Sequence, residues 1–206
     1  MSANDLVTGA LQGLCRWMWD CSPRMIPAIV RERGAAGALR WFAANMPRYL
    51  VTLRVLGPVR THLACVAYSL LNGCTYCAYG HAHALELIYF RDRGRLFPAD
   101  AATLATWQEL PPRRLAERLR TVLEDAGMHG EALWVDRIIH LAVGDQLPVD
   151  RDEVRLAHLV GMVRVMNDAA MGCDVAPGEA MDTVNRDAAV KAGHAAALVN
   201  EAGLVG

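Results

Sequence analysis

Three residues of this chain have the types and the spacing to do chemistry together: Cys74, Cys77 and His81. They stand in the run Cys74-Thr-Tyr-Cys77-Ala-Tyr-Gly-His81-Ala-His83, directly after Asn72-Gly73. Asn-Gly ends a helix readily because both residues accept positive φ, so a new helix is expected to begin at Cys74. Each helical residue advances about 100° around the axis. Cys77 then lies one turn after Cys74, and His81 one turn after Cys77, all on one stripe. A thiolate is the reactive form of cysteine, and a helix start favours negative charge through its free N–H groups. An imidazole four residues on can take the thiol proton or return one to a leaving group. Two thiols one turn apart can close a disulfide once one of them is oxidised.

Two other readings use the same residues. A buried cysteine pair can be plain core, since cysteine packs as a small hydrophobe. Alternatively, His62, Cys65, Cys74, Cys77, His81 and His83 are enough ligands for a zinc ion. A finger-like site would have a second C-x-x-C or H-x-x-x-H pair, and His81-x-His83 is too tight to be one. His83, two residues beyond His81, points elsewhere and is expected at the surface or at an interface.

The elements that must position this stripe read as helix nearly throughout. Ala, Leu, Arg, Glu and Met dominate and alternating β-branched runs are scarce. Helices are expected over 3–20, from Pro23 to about Gly34, and over 36–54 with Pro47 as a place for a bend. Further helices are expected over 59–71, from Cys74 to about Phe90, and in a short piece after Pro98-Ala99-Asp100. Residues 113–126, 130–143 and 151–171 follow, with a last helical region beyond Pro177-Gly178. Linkers are short, so the expectation is one compact all-α multi-helix domain, 36–206, preceded by an N-terminal helical arm, 1–35.

Composition narrows the function classes. Lys plus Arg is 21 against 22 for Asp plus Glu, a balance that argues against a general nucleic-acid binder. Residues 61–85 carry no Asp, Glu, Lys or Arg and are long enough to span a bilayer. His62, Asn72-Gly73, three Cys and two further His interrupt them, and such groups are costly in hydrocarbon, so no membrane span is expected. The start Met-Ser-Ala-Asn-Asp lacks a basic and apolar leader, which gives a cytoplasmic location by default. Cys15, Cys21, Cys65 and Cys173 are scattered and need not form a disulfide framework; Cys65, one turn from His62, is either a buried bystander or an extra redox partner. The five Trp residues read as packing anchors. Asp168 and Asp174 flank Cys173 without a spacing that demands a site.

The stretch LLNGCTYCAYGHAHAL resembles the signature of the alkylhydroperoxidase AhpD-like, or carboxymuconolactone decarboxylase-like, family. Asn72, Gly73, Cys74, Tyr76, Cys77 and His81 fit that pattern in order, and VRLAHLVGMVRVMNDAA loosely resembles the family's C-terminal helix ending in Asn. The resemblance implies an all-α fold assembled as trimers or hexamers, and a thiol-dependent peroxidase or disulfide oxidoreductase. It implies a peroxide or disulfide substrate, a reducing partner protein and no metal or organic cofactor. It makes Cys77 the peroxidatic thiol, Cys74 the resolving one and His81 part of a proton relay. The intact pair argues against the lactone decarboxylases proper, which generally lack it. One position departs from the pattern: twelve residues before the first Cys, where the family usually has Glu, this chain has His62. An imidazole can relay protons but supplies no fixed negative charge. His62 therefore replaces the Glu, is a neutral core histidine, or marks a divergent, non-catalytic redox sensor or metal-binding protein. Metal analysis of the purified protein separates the zinc reading from the redox one. One stoichiometric zinc, lost on Cys74→Ser, would rule the redox reading out.

Overall fold

The computed structural model describes residues 1–174 and 179–204, and among them every regular element is helical. The elements are α1 (Ala3–Trp19), α2 (Ile26–Leu56), α3 (Pro58–Leu71), α4 (Thr75–Arg93), α5 (Ala101–Ala105), α6 (Pro112–Asp125), α7 (His129–Ala132), α8 (Val135–Val143), α9 (Arg151–Ala170) and α10 (Ala188–Leu204). Two 3-10 turns, Thr106–Glu109 and Thr183–Arg186, complete them. The breaks fall where the turn chemistry puts them. α1 opens on a reciprocal cap between Ser2 and Asp5 and stops at Asp20 in the left-handed region. α2 turns at Gly34, where φ is 66° and ψ 164°, while Pro47 leaves the helix unbroken. The expected helix over 130–143 is two pieces, α7 and α8, separated at Leu133-Trp134.

α3 is the centre of the molecule. Every residue from Thr61 to Leu70 is buried, and α2, α4, α8 and α9 all pack against it. A helix that is apolar all round belongs in the middle of a core, which is why 61–85 carry no charge. No described helix is long and apolar enough to cross a membrane. The polar groups of α3 are answered internally. Thr61 Oγ1 donates to Gly57 O, Tyr68 OH to Leu156 O and Ser69 Oγ to Asn167 Oδ1. The last two bonds fix α9 against α3, and Arg60, paired in parallel with both oxygens of Glu131, fixes α7.

The α3–α4 corner sets up the candidate site. Gly73 takes φ 73°, its N–H donates to Leu70 O, and Cys74 N–H donates to Ser69 O. Cys74 is thereby the N-cap of α4, and its carbonyl accepts from Ala78 N–H. Farther along α4, Gly80 lets the chain beyond residue 179 come in close. Met181 N–H donates to Gly80 O, and a Cβ on Gly80 would stand 2.8 Å from Met181 Cε and 2.9 Å from its Cγ. Gly80→Ala is therefore expected to cost about 1–3 kcal/mol through overpacking, read as a lower urea midpoint. An unchanged midpoint would show that Met181 swings aside freely.

Candidate active site

The stripe read from the sequence exists. Cys74, Cys77 and His81 are all buried along the start of α4, with Cys74 and Cys77 2% and 1% exposed. The two thiols differ in charge preference. The Cys77 thiol hydrogen-bonds to Cys74, and the N–H groups of Cys77 and Tyr76 lie toward the same sulfur. Together these hold Cys74 below the ordinary thiol value despite its burial. Cys77, in contact with Cys74 and more deeply buried, is pushed well up. Of the two thiols, Cys74 ionises the more readily. Tyr76, between them, accepts from the Arg24 N–H through its hydroxyl at 3.0 Å, so the turn between α1 and α2 is pinned over the site.

His81 does not touch either sulfur. Its Nδ1 lies 3.0 Å from His62 Nδ1, and His62 Nε2 lies 3.0 Å from Asp182 Oδ2. Burial raises the Asp182 carboxyl, but the bond to His62, its charge, the Val184 N–H and the Thr183 hydroxyl bring it down to about 2. An ionised carboxylate only accepts, so His62 Nε2 carries a proton and donates. One proton lies between the two Nδ1 atoms and joins the imidazoles. Burial, together with His62, holds His81 well below the usual imidazole value. It is neutral, and its Nε2 is buried with no partner. The bond to Asp182 orients His62, and His62 orients His81.

This arrangement can move a proton. A proton taken up by the pair can cross the Nδ1–Nδ1 contact, so that the positive charge settles on His62 beside the Asp182 carboxylate. The fixed negative charge that His62 itself lacks is thus supplied through it. His81 also lines an enclosed chamber of about 20 Å³ (room for the centre of a water-sized sphere) with Trp19, Tyr49 and five methionines in its wall. Trp19 Nε1 and Tyr49 OH are buried without a partner as well.

Asp182 is the residue the sequence did not reveal. It lies 120 positions from His62 and caps the turn Thr183–Arg186. Asp before Thr-Val-Asn reads as an ordinary turn cap, and nothing in its spacing ties it to α3. His83 is not at the surface: it is half-buried, with Nδ1 2.7 Å from Glu86 Oε2. Cys65 is fully buried and its thiol is pushed up by burial alone. Among the described residues, no group of three or more His, Cys, Asp or Glu could hold a metal ion. No known family model, curated protein or solved structure matches this chain.

Depressed histidines give stability a pH signature. Between the folded value of His81 and the free value of 6.5, the unfolded chain binds the proton and the folded one does not. The stability contribution is complete above that free value and is lost as pH falls below it. His158 and His194 shift in the same direction. The Asp182 contribution survives until pH falls below 3.8 toward about 2. Urea midpoints should therefore drop between pH 7.5 and 5.5, and His81→Asn should flatten the drop. A flat profile for the unsubstituted protein would contradict a buried neutral His81.

Proposed function

We propose that the protein is a thiol-dependent peroxidase or disulfide oxidoreductase working at Cys74 and Cys77. The observation that carries the reading is the buried Cys74–Cys77 pair at the start of α4, with Cys74 held below the ordinary thiol value, one turn from a buried histidine whose Nε2 has no partner. The AhpD-like resemblance of residues 72–81 points the same way. It would give the protein a trimeric or hexameric assembly and a dithiol partner protein as reductant.

In the first step the Cys74 thiolate attacks the outer peroxide oxygen; an S–O bond forms, the O–O bond breaks and the alcohol or water oxygen departs with a proton from the Cys77 thiol. The Cys77 thiolate then attacks the Cys74 sulfenic acid; the S–S bond forms and the S–O bond breaks. The hydroxide released takes one proton from solvent and leaves as water, which balances the proton lost when Cys74 ionised. A dithiol finally reduces the disulfide by exchange, becoming a disulfide itself. The resemblance assigns the first attack to Cys77 instead. The lowered Cys74 thiol and the raised Cys77 thiol favour Cys74 as the first nucleophile.

The burial of both sulfurs favours a second reading, a redox sensor that oxidises once and does not turn over. Peroxide consumption by the reduced protein, supplied with a dithiol, separates the two. Multiple turnovers with a Cys74–Cys77 disulfide on mass mapping support the enzyme, and a single equivalent supports the sensor. Either cysteine→Ser change should lower turnover about 10²-fold or more. Sulfenic acid trapped on Cys74 in Cys77→Ser supports first attack by Cys74. Sulfenic acid on Cys77 in Cys74→Ser, with none in the other variant, reverses the two roles. Asp182→Asn should slow turnover by about ten-fold or more while leaving the disulfide able to form.

A further inference from the structure

Where α2 and α9 lie side by side, they flank a groove that the thiol chemistry does not use. Arg48 and Val51 of α2 face Arg151, Val154, Arg155 and His158 of α9 across a volume of about 400 Å³. The size lies within the range of small-molecule sites. The lining positions on each helix are three or four residues apart, so each helix presents one face to the groove.

The charge of the groove is one-sided. Three arginines line it, and no described carboxylate does. The acidic residues at the start of α9 are all engaged elsewhere. Asp150 accepts from the N–H groups of Asp152 and Glu153, and both oxygens of Glu153 are held by Arg137. Asp152 pairs with Arg155 Nη1 at 2.9 Å, and the same nitrogen donates to Arg151 O. Arg155 is thereby answered. Arg48 and Arg151 have no ion pair among the described residues, so two guanidinium groups stand on one groove without a counter-charge. His158 adds no third free cation. Its Nε2 lies 3.0 Å from Asn45 Oδ1, its Nδ1 is buried without a partner, and burial together with the Arg48 charge holds it below the usual imidazole value. That effect of Arg48 also shows its charge acting across the groove, from α2 onto α9.

Between the two free cations the walls are apolar. Val51 and Val154 stand 51% and 52% exposed on the two helices. An inorganic anion would pair with the arginines and leave the valines in water. A neutral apolar molecule would cover the valines and leave the arginines unpaired. A guanidinium fork matches the two oxygens of a carboxylate. We infer that this groove binds a small alkanoate-like organic anion, its carboxylate on Arg48 and Arg151 and its apolar body against Val51 and Val154. Neither thiol lines the groove, so this site stands whichever way the thiol reading falls.

The test is calorimetric titration of the full chain with hexanoate, with hexan-1-ol and inorganic phosphate as comparison probes. Saturable hexanoate binding in the millimolar range or tighter is expected. Arg48→Met and Arg151→Met should each weaken it roughly ten-fold, as should replacing hexanoate by hexan-1-ol. Both arginines are exposed, so neither change threatens the fold. Val154→Asp, which sets a carboxylate on the wall, should abolish binding. Absence of saturable binding overturns the inference. So does affinity indifferent to both arginine changes, or hexan-1-ol binding as tightly as hexanoate, which would leave the charges without a role. Phosphate binding as tightly as hexanoate overturns it too, because the valines would then contribute nothing.

Discussion

An ionised carboxylate inside a helical core must be held by donors, and in this fold the donors come from two directions. The turn Thr183–Arg186 gives Asp182 its own N–H and hydroxyl contacts, and α3 gives it His62. The other features of the site depend on that junction. Because Asp182 accepts at His62 Nε2, that nitrogen carries a proton, and positive charge on the imidazole pair is drawn to its His62 end. Were the carboxylate absent, nothing would favour one imidazole over the other as the place for a proton. Second partners of this kind usually decide how a histidine works.

The junction has a steric condition. The segment Ala180–Asp182 must lie directly on α4, and Gly80 is the position where it does so. Any side chain there would meet Met181. The C-x-x-C-x-x-x-H run thus contains a residue whose smallness matters as much as the chemistry of its neighbours. Tyr76 plays a comparable part on the other side, where its hydroxyl holds the Arg24 backbone and keeps the α1–α2 turn over the thiols.

The helices, the break at Asn72-Gly73 and the shared stripe of Cys74, Cys77 and His81 could be read from the sequence, because all are local. Turn residues and a 3.6-residue period act over a few positions. The internal location of α3 was legible too, as an uncharged stretch too often interrupted for a bilayer. Charge partners were not legible. Nothing local to His62 signals that a carboxylate 120 residues away closes on it, and Asp182 carries the signature of a turn cap, which it also is. The same limit hid the surroundings of His83, which pairs with Glu86 within one turn, while His194 reaches it only because α10 folds back over α4. The relative acidity of the two thiols was partly legible, in that a helix start favours a thiolate. The choice of Cys74 over Cys77 needed the N–H groups around Cys74 and the deeper burial of Cys77.

α4 therefore serves two environments that its own geometry keeps apart. Residues 77 and 81 fall on one side and 79, 83 and 86 on another, since steps of about 100° separate the two sets. Neither side is complete within the helix. The thiol side takes its carboxylate from Asp182, and the other side meets His194, whose ring lies against His83 and Phe90. Both partners belong to the segment after residue 179, which crosses α4 at Gly80 and again where Gly193 meets Phe90. Two glycines on two different helices thus set how closely that segment lies.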